Sequence, residues 1–290
     1  MAVRQDWVDV AKPVSPMIRV FKSMSMMVVL LLLVFASNGR ANYFKDELNS
    51  GFDTAIWQAR TGINGAPFGC AFVPSLILPA SHGITLTLQP GKCAELQTKQ
   101  FYGFGKIQGA LKTGNSPGTV SSIFTYTSWW DEPGRAWQEI DIEFLPSLGN
   151  VVHTNVIYQP QHGKYQSWEL DVDLTQYGLN VQQAVLTVGF EWTATEIRWY
   201  VYDAKGHEQT IRTVRKANDD GHLTAHEIPA YAWPVEPTRI MLNHWHGDNS
   251  AAGYQFPGWY DRQSAWAYYD FIEYIPQTIQ LNPQQNRLHR

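Results

Sequence analysis

The stretch Trp137-Gln138-Glu139-Ile140-Asp141-Ile142-Glu143-Phe144 is the tightest constraint on what this chain can fold into. Three acids alternate with two isoleucines, and the side chains of a strand point to opposite faces with a period of two. A strand here puts Glu139, Asp141 and Glu143 on one face and Ile140, Ile142 and Phe144 on the other. Acids are poor strand formers, and carboxylates set side by side repel and raise one another's pKa. A solvated outer face is one use for such a row. Two features oppose it: none of the three acids has a Lys or Arg beside it, and both flanks, Ala136-Trp137 and Phe144-Leu145-Pro146, have the composition of buried chain. The pattern points to a carboxylate pair for acid/base and nucleophilic work, with a third acid between them.

The rest of the chain reads as short strands too. Past residue 41 no stretch of ordinary helix length keeps a 3.6-residue period. Gly83 to Leu88 alternates cleanly, and Val120 to Thr127 is an apolar run. Val185 to Trp192 and Glu196 to Asp203 form a hairpin, with Asp203-Ala204-Lys205-Gly206 as the next turn. Phe72 to Leu78 reads as a strand, and Ile211 to Ile228 as a polar loop with a short strand. Trp168-Glu169-Leu170-Asp171-Val172-Asp173-Leu174 repeats the alternation of acid and apolar residues and reads as a strand edge or a loop near solvent. Many short strands between Gly/Pro turns predict an all-β sandwich in a single domain. His244 and His246 alternate as metal ligands do, but lack a third partner, so they read as cleft or surface residues.

Residues 1–41 stand apart in composition. Arg19 and Lys22 precede the apolar run Met26 to Ala36, and Ser37-Asn38-Gly39-Arg40-Ala41 ends in small residues. This is the pattern of a signal peptide cleaved near Ala41–Asn42; an uncleaved anchor is the second reading, since the run is short for a membrane span. Met17 begins a leader of ordinary length, which makes residues 1–16 an upstream extension or an unusual n-region. This segment carries five Lys and Arg and two Asp and Glu, so without it the net charge moves from −4 to −7. An acidic chain is a poor match for nucleic acid or an anionic membrane and suits a neutral polymer. Cys70 and Cys93, both in the exported part, can close a disulfide loop or stay as two buried thiols.

Glu139-Ile140-Asp141-Ile142-Glu143-Phe144-Leu145 resembles the signature of glycoside hydrolase family 16, most closely the bacterial lichenases, which are endo-β-1,3-1,4-glucanases. The resemblance runs from about Tyr43 to Pro276. It lacks the extra residue that bulges this strand in laminarinase-type members, so a regular strand is expected. The resemblance implies a β-jelly roll of two antiparallel sheets, one concave and lined by the signature strand. The catalytic domain is then 42–276, with 277–290 as a polar tail. The implied activity is retaining, endo-acting cleavage of mixed-linkage or β-1,3-glucan. Glu139 is the nucleophile, Glu143 the general acid/base and Asp141 the helper.

The resemblance also implies sugar contacts at Asn64, Phe68, Glu95, Tyr126, Trp137, Asn155, Asn243, Trp245 and Trp259, and a Cys70–Cys93 bridge. For Asn64 and Phe68, ordinary turn and plug roles stand beside that one. Catalysis needs no cofactor, and a structural Ca²⁺ is expected near Gly83 and Asp270. The partner is a β-glucan, with no nucleic acid and no membrane after signal cleavage. The protein is expected as a secreted or periplasmic monomer. Two positions depart from the lichenase pattern: Gln97 stands where an Arg is usual, and Ile157 where a Tyr is. The paired Trp129 and Trp130 lie in a longer loop than lichenases have, where packing and sugar stacking are both open. A xyloglucan-type transglycosylase and a non-catalytic glucan-binding lectin are the rival readings.

Overall fold

The computed structural model describes residues 42–218 and 223–277; the expected leader and most of the polar tail lie outside them. Two mostly antiparallel sheets pack face to face. One runs from edge to edge as Gln166–Ser167, Val151–Gln159, Trp137–Phe144, Thr119–Thr127, Arg239–His246, Lys92–Thr98, Ala71–Phe72 and Gly62–Ile63. Leu170–Asp173 also pairs with Val151–Gln159, and Trp57–Ala59 with Lys92–Thr98. The other runs as Glu227–Ile228, Glu208–Lys216, Glu196–Tyr202, Leu186–Trp192, Gly105–Thr113, Ala265–Pro276, Ile84–Leu88 and Ile77–Pro79, with Phe44–Asp46 on Ala265–Pro276. Among the described residues the single α-helix is the short Ala251–Gln255, capped by the Ser250 side chain.

The inner faces form the core. Ile140, Ile142 and Phe144 of the signature strand are buried there with Val152, Val156, Ile240, Leu242, Leu111, Phe190 and Trp199. A smaller cluster surrounds the disulfide that joins Cys70 and Cys93, with Phe72, Leu88, Val120, Trp245 and Tyr260. Trp57, Trp192, Trp199, Trp233 and Trp245 are all buried. The signature strand pairs in unbroken register with both neighbours, so it is regular, as the missing residue predicts.

Three readings of the sequence change. Phe72 to Leu78 is not one strand, because Pro74 starts a 3-10 turn over Pro74–Leu76 that separates two short strands. The start of the stretch from Ile211 to Ile228 belongs to the nine-residue strand Glu208–Lys216, whose charged residues mostly face outward, so its period is masked by composition; the short strand expected in that stretch is Glu227–Ile228. His244 and His246 are neither cleft nor surface residues. Strand parity turns Asn243 and Trp245 to one face and the two histidines to the other, where both are buried. His244 Nδ1 donates to the Val120 carbonyl (3.0 Å), and burial pushes its pKa down to about 4, so it is neutral. His246 accepts from the Gly91 N–H at Nε2, donates from Nδ1 to the Gly247 carbonyl, and stacks on Tyr260 with ring centres 3.9 Å apart.

Candidate active site

Every second residue of the signature strand, from Trp137 to Glu143, opens onto the outer face of its sheet. There a cleft of about 820 Å³ is lined by Trp137, Glu139, Asp141 and Glu143. The neighbouring strands contribute in step. Glu139 stands between Tyr126 and Ile157, Asp141 between Phe124 and Asn155, and Glu143 between Ser122 and His153. All these partners except Ser122 line the cleft, and the Ser122 hydroxyl donates to Glu143 Oε1 (3.3 Å).

The three carboxylates have unequal surroundings. Burial raises all three pKa values, and the Glu143 charge raises Glu139 and Asp141 further. Three carboxyls crowded in one row, the middle one buried, do not all ionise at neutral pH. Asp141 is held well above its ordinary range, first by burial and then by the charges of Glu139 and Glu143. Its hydrogen bond to Glu139 favours the proton on Asp141 and the charge on Glu139. The Trp137 indole N–H donates to Glu139 Oε2 at 2.6 Å and adds to that preference. Glu139 is thus the carboxyl with two donors aimed at its charged form. Glu143 is raised chiefly by burial, with His153 and the Ser122 hydroxyl pulling the other way.

The row continues across the sheet. Glu143, Ser122, Asn243 and Glu95 are successive register partners on four strands. Asn243 Nδ2 donates to Glu95 Oε2 (3.1 Å), and Arg60 Nη1 to Glu95 Oε1 (2.9 Å). Burial pushes Glu95 up to about 6 against the pull of Arg60. Arg60 also lines the cleft. The guanidinium absent at position 97 is therefore supplied from just beyond the adjacent strand Trp57–Ala59, which the spacing of Glu95 and Gln97 does not reveal.

Aromatic rings wall the cleft at the Glu139 end. Trp130 is 64% exposed and lines the cleft. It lies on Trp129 (ring centres 4.4 Å apart) and edge-on to Trp137 (5.7 Å), which in turn meets Tyr165 (5.5 Å). The two tryptophans divide the roles left open by the sequence: Trp129 supports, and Trp130 faces the cleft. At the other end Phe68 packs on Trp245 with ring centres 4.1 Å apart, and both line the cleft with Asn64. The loop carrying Asn64 and Phe68 is pinned where Gly69 N–H donates to the His246 carbonyl (2.9 Å). A side chain at Gly69 would collide with the Gly247 carbonyl. Asn155 lines the cleft, and its Oδ1 accepts from the Trp168 N–H (3.1 Å).

Trp259 does not join this wall. It is 54% exposed, its backbone crowds Gly118, and Phe256 takes the place on the cleft. Gly83 and Asp270 do meet, on the other sheet and away from the cleft. Gly83 has φ +71°, and a side chain there would strike the Tyr269 carbonyl. Asp270 sits in the register irregularity between Tyr269 and Phe271 and accepts from the Tyr268 hydroxyl (2.7 Å). A carboxylate beside close-packed carbonyls is a donor set of the kind Ca²⁺ takes.

Two functional neighbours escaped the sequence. Arg212, from the stretch read as a loop, is buried beneath the cleft sheet. It donates to the Thr154 carbonyl and hydroxyl (2.7 and 2.9 Å) and to the Trp168 carbonyl (2.8 Å), and lies over the Trp199 ring. The Trp199 indole N–H donates to the Asp141 carbonyl (2.9 Å). Burial lowers the Arg212 pKa to about 10, while Asp141 and Glu169 favour its charge. The second neighbour is the pair His153 and Asp171 (2.7 Å), the latter from the edge strand.

Two carboxylates flanking a third, between aromatic walls on one face of a β-sandwich, is the kind of arrangement carboxylate glycosidases use. The chain belongs to glycosyl hydrolases family 16, whose model matches residues 67–267. It is 31% identical over 245 residues to a beta-glucanase of Acetivibrio thermocellus, covering 82% of this chain and 63% of that protein. The chain thus spans less than two thirds of that relative's length. It is 30% identical to the beta-glucanase of Bacillus subtilis, covering 82% of this chain and 88% of the other. The solved Bacillus licheniformis beta-glucanase superposes with a TM-score of 0.66 at 27% identity, over 82% of this chain and all of that one. Among the described residues no helix is long and apolar enough to cross a membrane.

Proposed function

We propose that this chain is an endo-acting, retaining β-glucan hydrolase. The observation that carries the proposal is the placement of Glu139, Asp141 and Glu143 on one cleft face, with the hydrogen bonds of Trp137 and Asp141 converging on Glu139. Glu139 attacks the anomeric carbon while Glu143 gives its proton to the leaving oxygen, which breaks the glycosidic bond and leaves a covalent glycosyl-enzyme. Glu143, now a carboxylate, takes a proton from water, and that water's oxygen displaces Glu139. Asp141 keeps its proton and holds Glu139 in place. The exposed rings of Trp130 and Tyr165 suit the apolar faces of sugars.

The finer assignments rest on the same cleft. The substrate is mixed-linkage or β-1,3-glucan, bound also by Asn64, Phe68, Glu95, Tyr126, Asn155, Asn243 and Trp245. Gly83 and Asp270 hold a structural Ca²⁺ that takes no part in the chemistry. Residues 1–41 direct export and are removed, and the enzyme acts as a monomer. N-terminal sequencing of the exported protein should begin near Asn42; a chain still carrying residues 17–40 would contradict export by cleavage.

Proton NMR of the first products tests the mechanism. A β-product supports it; an α-product from the unmutated enzyme would mean an inverting pair. A reducing-sugar assay on a panel of β-glucans, with product sizes recorded, separates hydrolysis from transfer to sugar and from binding alone.

A further inference from the structure

We propose that Asp171 and His153 form a positioning pair that sets the pH at which Glu143 gives up its proton, an inference that rests on Glu143 being the acid/base. Asp171, His153 and Glu143 are direct register partners on three adjacent strands. Directly opposed residues on one face have Cβ atoms about 4.5–5.5 Å apart. The three side chains therefore form one line across the cleft sheet, at right angles to the line of the catalytic acids.

The hydrogen bonds settle how the imidazole is held. His153 Nδ1 lies 2.7 Å from Asp171 Oδ1. A carboxylate only accepts, so Nδ1 carries a proton and donates it. Nε2 is then the nitrogen that gains or loses a proton, and the ring cannot swap its two nitrogens without losing that bond. Phe256 packs against the ring with centres 5.5 Å apart. His153 is itself 7% exposed and lines the cleft beside Glu143. The Asp171 side chain is 53% exposed, so water screens its charge. Its contribution is to fix the ring rather than to act on Glu143 directly.

The other groups around Glu143 do not supply this function. Glu139 and Asp141 on its own strand, and Glu169 from the edge segment, are acids and push its proton affinity upward or leave it unchanged. Ser122, on the other flanking strand, donates one hydrogen bond but does not change charge. Arg60 is engaged with Glu95 further along the row. Among the described residues His153 is the one group facing Glu143 that can become positive, and its charge favours the Glu143 carboxylate. Double displacement needs Glu143 protonated in the first half and ionised in the second, and a neighbour on a fixed mount that can carry positive charge eases the second requirement. The edge copy of the acid/apolar alternation thereby acquires a role: Asp171 serves the cleft, while Asp173 caps the next turn by accepting from Thr175 N–H (2.8 Å).

The test is the pH profile of kcat/KM for His153→Gln and Asp171→Asn, on β-glucan and on an aryl β-glycoside whose leaving group needs no acid. In His153→Gln the amide can still bond Asp171, but the positive form is gone. Its basic limb on β-glucan should move upward by roughly half a pH unit or more, and kcat should fall by about tenfold. The aryl glycoside should be spared in its first step. Asp171→Asn keeps an acceptor for Nδ1–H and should move the limb less, in the same direction. A basic limb that stays in place in both variants overturns the proposal, as does an equal loss on both substrates. Should His153→Gln fail to fold, the limb of Asp171→Asn decides. Glu143→Ala separates this from the underlying assignment: full turnover of β-glucan by that variant would remove Glu143 as acid/base, whatever the histidine variants do.

Discussion

Two stretches of this chain carry the same alternation of acid and apolar residues, and they meet different fates. Glu139 to Phe144 is a central strand, paired along its whole length on both sides. Glu169 to Leu174 ends up at the edge, as a four-residue strand paired on one side. In the centre, the flanking strands wall the acids and limit their contact with water, so their pKa values rise. At the edge, Asp171 and Asp173 stay in water, and Leu170 is 44% exposed. Burial on both flanks, more than the residue pattern, turns a row of acids into a reactive site. The edge copy contributes only where a side chain reaches inward, through Asp171 to His153.

Exchanging the acids for alanine gives the largest contrast. Glu139→Ala should lower kcat by on the order of 10⁵-fold, and added azide should restore turnover with an α-product, since the small anion takes the vacated place. Asp141→Asn keeps shape and one hydrogen bond and should cost on the order of 10²-fold. Asp173→Ala should leave kcat unchanged and lower stability by about 1 kcal/mol through the lost turn cap. A comparable loss of turnover in Asp173→Ala would erase the distinction between the copies.

The apolar halves should differ as well. Ile142 is fully packed between the sheets, so Ile142→Ala should destabilise by roughly 2–5 kcal/mol in chemical denaturation. Leu170→Ala should change stability by no more than about 0.5 kcal/mol. Equal midpoints would mean that the edge strand is as well packed as the centre.

A smaller effect concerns pH. Burial raises Glu95 to about 6, above its value in an unfolded chain. The folded state therefore binds that proton more tightly than the unfolded state. The stability this contributes is complete below about pH 4.5 and is lost as the pH rises through the folded value. Between pH 5 and pH 8 the unmutated protein should lose on the order of 1 kcal/mol more than Glu95→Gln, read from melting curves at the two pH values. Parallel curves would show that Glu95 ionises in the folded protein as freely as in the unfolded one.

Much of this was legible in the chain. Period-two alternation has only two outcomes, and of a face with three acids and a face of isoleucines it is the isoleucines that turn inward; Glu139, Asp141 and Glu143 follow from such parity. The places of Asn64, Phe68, Tyr126, Asn155 and Asn243 on the cleft came through the resemblance, not through any period. Parity was available for His244 and His246 as well: once Asn243 and Trp245 face the cleft, the histidines must face the core. The stretch from Ile211 misled because an outward-facing charged strand has the composition of a loop.

Other features have no signature along the chain because they depend on register between distant strands. Arg60 stands in for the guanidinium absent at position 97 only because Arg60 N–H donates to the Glu95 carbonyl (2.9 Å) just past a paired strand. Arg212 reaches the back of the strand beside the catalytic one from the opposing sheet, and Trp259 misses the cleft that Phe256 fills. A strand's own pattern says which way its side chains point; which neighbour lies opposite is set by how sheets pair and pack, and an offset of one residue would reverse every such contact.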